Sequence, residues 1–167
     1  MSQPFSLANR PTYETQNDRL NEITAKNLIE SLWGITIEMN PAKYEIDYQL
    51  FNGDRCIGWG EYKNRSRDFK WLMRNGYMIS MLKWMRLKDF ADKTGLKSFI
   101  FVKTTDTENE WKDLALSEST RVYWHSVNDI NEYPNVCRFW SSKRGDPQDM
   151  EPAVNIPFDN FNLMKKI

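Results

Sequence analysis

The dipeptide Asn52-Gly53, standing between two runs of alternating apolar and polar residues, constrains this chain more than any other feature. Asn-Gly supplies the positive φ angles that a tight hairpin turn demands. The flanking runs "YEIDYQLF" and "RCIGWGEYK" therefore read as antiparallel strands over 44–51 and 55–63. They carry Asp47 in the first strand and Glu61 with Lys63 in the second, although charged residues are depleted in strands. A side-chain period of two puts Ile57, Trp59, Glu61 and Lys63 on one face. The side on which Asp47 lies depends on register. A two-residue turn at Asn52-Gly53 pairs Phe51 with Asp54 and Asp47 with Gly58, sending Asp47 to the opposite face; a three-residue loop or a bulge pairs Phe51 with Arg55 and Asp47 with Trp59, gathering both acids and the lysine.

The second register has a chemical rationale. Two carboxylates on one face repel each other, and a pair of hard oxygen donors suits Mg²⁺, which takes one or two protein carboxylates and keeps several waters. A cation held there activates water and stabilises charge on a phosphoryl oxygen, while a lysine adds a point charge or orients the nucleophile. Phosphodiester hydrolysis needs that combination. The plainer reading makes Glu61 and Lys63 an exposed strand pair and Asp47 a guard against edge pairing.

Around the hairpin the chain alternates helix and strand. Good helix formers run without Gly or Pro over 13–33, and Gly34 stands where a helix ends. "ITIEM" reads as a short strand and Asn40-Pro41 as a break. After the basic, aromatic "NRSRDFKWLMRNG", apolar residues at Ile79, Leu82, Leu87 and Phe90 predict a long helix over 77–93, ended by Gly95. "KSFIFVKTT" is a buried strand, "EWKDLAL" an edge-like segment, and "TRVYWHSV" and "CRFW" are further strands, with "AVNIPFDNF" leading to a basic tail. Residues 1–12 read as a loose arm and 13–167 as one domain. This order describes an α/β fold: a mixed central sheet with flanking helices, in which the long helix lets the strand after it join in parallel.

Composition narrows the function. Lys plus Arg and Asp plus Glu both total 23, so nucleic-acid binding has to use a local patch rather than a global positive charge. Cys56 and Cys137 are far apart and form no CxxC, which argues against a zinc ribbon or a disulfide framework and suits a reducing cytoplasm. His125 is the only histidine, which excludes a multi-His metal site and reads as a packed strand residue. "GWGEYK" lacks the spacing of a phosphate-binding loop. No apolar run approaches the ~20 residues that span a bilayer, so no membrane association is expected.

"YEIDYQL" followed by "IGWGEYKNRS" resembles the PD-(D/E)xK nuclease superfamily, whose signature is an Asp on one strand of a hairpin and a Glu/Asp-x-Lys on the next. The resemblance spans roughly residues 13 to 105, and "LWG", "ISMLKW" and "EPAVNIPFDNF" look like small phage-encoded members. Ile46 stands where the signature has Pro. The resemblance implies a restriction-endonuclease-like core and a deoxyribonuclease that uses Mg²⁺ or Mn²⁺. Asp47 and Glu61 become metal ligands, with the Tyr62 backbone carbonyl as a further one, and Lys63 becomes the catalytic lysine. It also implies a helical acid, for which Asp18, Glu22 and Glu30 are available. Around the apolar arc of an ideal helix, Glu22 falls within about 20° of Ile29 and Glu30 about 100° away. Glu22 is favoured, with Asp18 in reserve; a surface pair between Glu22 and Lys26 is the ordinary alternative.

Arg65, Arg67, Lys70 and Arg74, interleaved with Phe69 and Trp71, form a candidate phosphate-contacting segment or else a solvated linker with aromatic anchors. Lys83 on the long helix either faces the sheet near the site and DNA or snorkels to solvent. The alternative to a nuclease is a nucleic-acid-binding or assembly module that keeps the fold without cleaving.

Overall fold

The computed structural model describes residues 16–40, 46–64, 69–105, 120–129, 135–139 and 151–165. A mixed six-stranded sheet runs in the order β1 (Thr36–Met39), β2 (Tyr48–Asn52), β3 (Arg55–Asn64), β5 (Lys97–Thr105), β6 (Thr120–Ser126) and β9 (Asn162–Leu163). Helices α1 (Gln16–Trp33), α2 (Phe69–Asn75) and α3 (Met81–Thr94) accompany it. β3 and β5 pair in parallel, as a crossover through a helix requires; β1, β2, β6 and β9 join antiparallel. A second, three-stranded sheet has the order β4 (Tyr77–Ser80), β8 (Glu151–Ile156), β7 (Asn135–Phe139). The architecture is α/β, consistent with a restriction-endonuclease-like fold.

The pleat separates two cores. Beneath α1, Ala25 and Ile29 pack on Tyr48, Leu50, Tyr62 and Phe101. Across the sheet, Leu87 of α3 joins Ile100, Val102, Tyr123, Ile79 and Val154. Ile46 belongs to this second core and is 1% exposed, so the residue in place of Pro is a packing residue. The two glycines of "GWGEYK" serve the first core. A Cβ on Gly60 would stand 2.8 Å from the Phe101 ring, and one on Gly58 would stand 2.7 Å from the Lys97 carbonyl oxygen. They admit close approach of β5 and are not a phosphate loop.

The chain departs from the expected helix over 77–93. Residues Tyr77–Ser80 form β4, which pairs with β8 from Tyr77↔Ile156 to Ser80↔Ala153, and the helix begins only at Met81. Tyr77 and Ile79 are buried in alternation with half-buried Met78 and Ser80. So short an alternating run fits a strand once a partner strand some seventy residues distant is in place. The basic, aromatic segment before it forms α2 over part of its length. Segments 106–119 and 140–150, including "EWKDLAL", lie outside the described residues. His125 is buried on β6 with Nδ1 3.1 Å from the Asn160 carbonyl oxygen, the packed position expected of it.

Candidate active site

The hairpin turn sits one residue later than Asn52-Gly53. Asn52 pairs with Arg55, which leaves Gly53 and Asp54 as the two-residue loop, and Phe51 pairs with Cys56 rather than Arg55. That register alone would bring Asp47 level with Gly60, on the wrong face. A bulge corrects it: Leu50 pairs with Gly58, so Ile57 is an extra residue, and Tyr48 then pairs with Gly60. Continued one step beyond β2, this register carries Asp47 to the side of Glu61, and Lys83 Nζ reaches both carboxylates. Both side chains project away from the Tyr48 and Tyr62 rings, toward α3.

Asp47 is held on several sides. Asp47 stands just ahead of β2, which begins at Tyr48 and not before Asp47 as the alternation suggests; its Oδ2 accepts the Tyr62 backbone N–H at 2.8 Å, which fastens it to the residue between Glu61 and Lys63. Asn40 secures the approach to Asp47: its N–H donates to the Asp47 carbonyl oxygen at 2.8 Å and its side-chain amide to the Ile46 carbonyl oxygen at 2.7 Å. Gln49 donates to Asn40 Oδ1 at 2.8 Å. Along the sequence Asn40 is only part of a chain break, and nothing beside it marks it as a support for Asp47.

Glu61 is fully buried. Lys63 Nζ lies 3.2 Å from its Oε1, and Lys83 Nζ hydrogen-bonds the same oxygen while lying 3.8 Å from Asp47 Oδ1. The other oxygen, Glu61 Oε2, is buried with no hydrogen-bond partner among the described residues. Burial raises the Glu61 pKa, Lys63 lowers it, Asp47 raises it and Lys83 lowers it; the net direction is upward. The cluster thus sets two carboxylates against two ammonium groups, with the acids inside and the lysines, about one-third exposed, at the mouth.

Lys83 enters this cluster because of helix periodicity. Within α3 Lys83 lies one turn before Leu87, which is wholly buried, and in line with Phe90, Ala91 and Thr94. The Trp59 ring meets Phe90 at 4.8 Å between centroids, and its Nε1 donates to Thr94 Oγ1 at 3.3 Å, which seats this face of α3 on β3. Leu82, assigned to the apolar stripe by sequence, is 44% exposed instead.

The remaining candidates divide. Glu22 lies on the α1 side, where its backbone carbonyl accepts the Tyr48 hydroxyl at 2.9 Å and its charge raises the pKa of the Tyr48 and Tyr62 phenols, chiefly raised by burial. Among the described residues no group of three or more His, Cys, Asp or Glu side chains is placed to hold a metal ion. Glu30 is occupied elsewhere: its Oε1 accepts the Ile37 N–H at 2.7 Å and Lys26 Nζ at 2.8 Å, tying α1 to β1. Lys26 therefore pairs with Glu30. The side chain of Asp18 lies outside the described residues, as do Arg65 and Arg67. Lys70 and Arg74 are exposed on α2.

The residues present fit a divalent cation. Asp47 and Glu61 offer hard oxygens side by side, and a buried carboxylate oxygen without a hydrogen-bond partner is what a cation ligand provides. No described helix is long and apolar enough to cross a membrane.

No curated protein and no solved structure matches the chain. A family model does, that of the "phage putative PDDEXK endonuclease" family, over residues 8–164. Because that match covers nearly the whole chain and runs through both strands that bring Asp47 to the side of Glu61, the chain belongs to this family of phage PDDEXK endonucleases.

Proposed function

We propose that this protein is a divalent-cation-dependent deoxyribonuclease that hydrolyses DNA phosphodiester bonds at the Asp47–Glu61–Lys63–Lys83 cluster. The observation that carries the reading is Glu61 Oε2, a buried carboxylate oxygen with no hydrogen-bond partner among the described residues, in a group whose other oxygen shares Lys83 with the Asp47 carboxylate. Asp47 and Glu61 would hold the cation, with water, the Tyr62 carbonyl and a phosphate oxygen as further donors; two protein carboxylates are a usual Mg²⁺ complement. When bound, Mg²⁺ or Mn²⁺ supplies Lewis acidity and lowers the pKa of water.

The protein's own groups do the rest. Asp47, locked to the Tyr62 N–H, keeps one carboxylate oxygen toward the site. Lys63 lies at the mouth with its ammonium group on Glu61 Oε1, placed to stabilise negative charge on a phosphate or to orient the attacking water. Lys70 and Arg74 on α2, with Arg65 and Arg67 before them, would contact flanking phosphates and position the backbone without reading bases.

The test is incubation of supercoiled plasmid and of duplex, single-stranded and branched oligonucleotides with Mg²⁺, Mn²⁺ or EDTA. Cleavage of at least one DNA with a cation and none in EDTA is expected. Binding without cleavage under every condition would make the chain a nucleic-acid-binding module of the same fold.

A further inference from the structure

Lys83 occupies a peculiar position for a helix lysine. Its Nζ reaches both acids, hydrogen-bonded to Glu61 Oε1 and 3.8 Å from Asp47 Oδ1, and Lys63 is also in ion-pair range of Glu61. Glu61 is wholly buried, but the Lys83 side chain is 32% exposed. The ammonium group therefore reaches inward from a stem that also borders solvent.

Two neighbouring carboxylates, one of them out of water, need positive charge to be stable. A lysine on a four-carbon stem supplies it as a compact point charge that is able to swing. A divalent cation held by the open Glu61 Oε2 and by Asp47 would share both carboxylates with Lys83 Nζ, and two cations on one pair of carboxylates repel each other strongly. We infer that Lys83 is a resident counter-ion for Asp47 and Glu61, which a divalent cation must displace toward solvent in order to bind. The inference rests on the reading that Asp47 and Glu61 hold a cation. It assigns Lys83 a role in cation loading, distinct from contact with DNA.

Equilibrium binding of Mn²⁺ to the DNA-free protein, followed by electron paramagnetic resonance of the free ion, tests this without relying on activity. At about pH 8, where exposed carboxylates are ionised, Lys83→Met should bind Mn²⁺ on the order of tenfold more tightly than the parent, since a competitor is gone. Its melting temperature should be lower in EDTA and rise further on adding Mn²⁺. Lys83→Gln serves the same purpose should the methionine variant fail to fold. Lys88→Met, on the same helix but outside the cluster, controls for overall charge and should bind within about twofold of the parent. Affinity unchanged or weakened in both Lys83 variants, with binding lost in Asp47→Asn, would overturn the counter-ion role and leave the cation site standing. Equal tightening in Lys83→Met and Lys88→Met would overturn it too. Parent-like binding in Asp47→Asn, or no binding by the parent, would remove the cation site and this inference with it.

Discussion

The Asp47 carboxylate accepts the Tyr62 backbone N–H at 2.8 Å, so the acid just ahead of one hairpin strand is fastened to the residue between Glu61 and Lys63 on the other. One hydrogen bond thereby sets the spacing of the three groups proposed to act on DNA.

Asp47→Asn separates that structural task from the chemical one. The Asn carbonyl oxygen still accepts the Tyr62 N–H, so the melting temperature should change little, while a charged cation ligand is removed. Cleavage should fall at least about a hundredfold, with DNA affinity retained or increased because less negative charge faces the phosphates. Gel-shift and cleavage assays on the same DNA check this; unimpaired cleavage would place the site elsewhere.

The Lys63 side chain is 38% exposed, with its ammonium group on Glu61. Lys63→Ala should lower kcat by roughly 10²–10³ and shift stability by about 1 kcal/mol or less, as partly exposed ion pairs do. Single-turnover rates beside thermal melts test the split. A fully active variant would mean that the Glu-x-Lys spacing is accidental.

Stability in EDTA should depend on pH through Glu61, whose carboxyl is raised from its ordinary 4.5, above all by burial. Above that value the unfolded chain has given up a proton that the folded protein still holds, so stability falls as pH rises, until Glu61 ionises in the folded state as well. Below it, Glu61 contributes no slope. Glu61→Gln should remove this contribution, and the difference between parent and variant melting temperatures should grow with pH across that window. Parallel curves would show that Glu61 titrates normally.

DNA affinity should come from the segment around α2, since the chain has no net charge. Replacing Arg65, Arg67 and Lys70 by Ala should weaken binding about equally for unrelated sequences, and the salt slope should flatten by roughly 0.9 for each phosphate no longer neutralised. Affinity unchanged at several salt concentrations would mean that this segment does not carry the DNA path.

Gly60→Ala tests the packing beneath the site. Its Cβ would stand 2.8 Å from a ring carbon of Phe101, a fully buried side chain enclosed by Tyr48 and Trp33. Overpacking of this kind costs about 1–3 kcal/mol, which urea unfolding would read directly.

Much of this protein was legible in its sequence, because local chemistry dictates it. Alternation and a turn signal placed the hairpin, Gly34 ended α1, and the helix between β3 and β5 implied parallel pairing. Asp47, Glu61 and Lys63 stood out as charges in strands that otherwise exclude them. What the sequence left open depended on contacts between distant segments. The face of Asp47 was undecided, because a one-residue slip reverses every side chain; the bulge at Ile57 settled it. Residues Tyr77–Ser80 became a strand because β8 pairs with them, which moved the helix start to Met81, and the docking of α3 on β3 decided between the two readings of Lys83 by making it a partner of both acids. Glu30 was drawn to β1 by the Ile37 N–H, and Asn40 gained its hold on Asp47 only through a backbone hydrogen bond that the sequence does not announce. Periodicity along one segment reports which face is apolar; which groups meet across faces is decided by register and docking, which only the tertiary structure supplies.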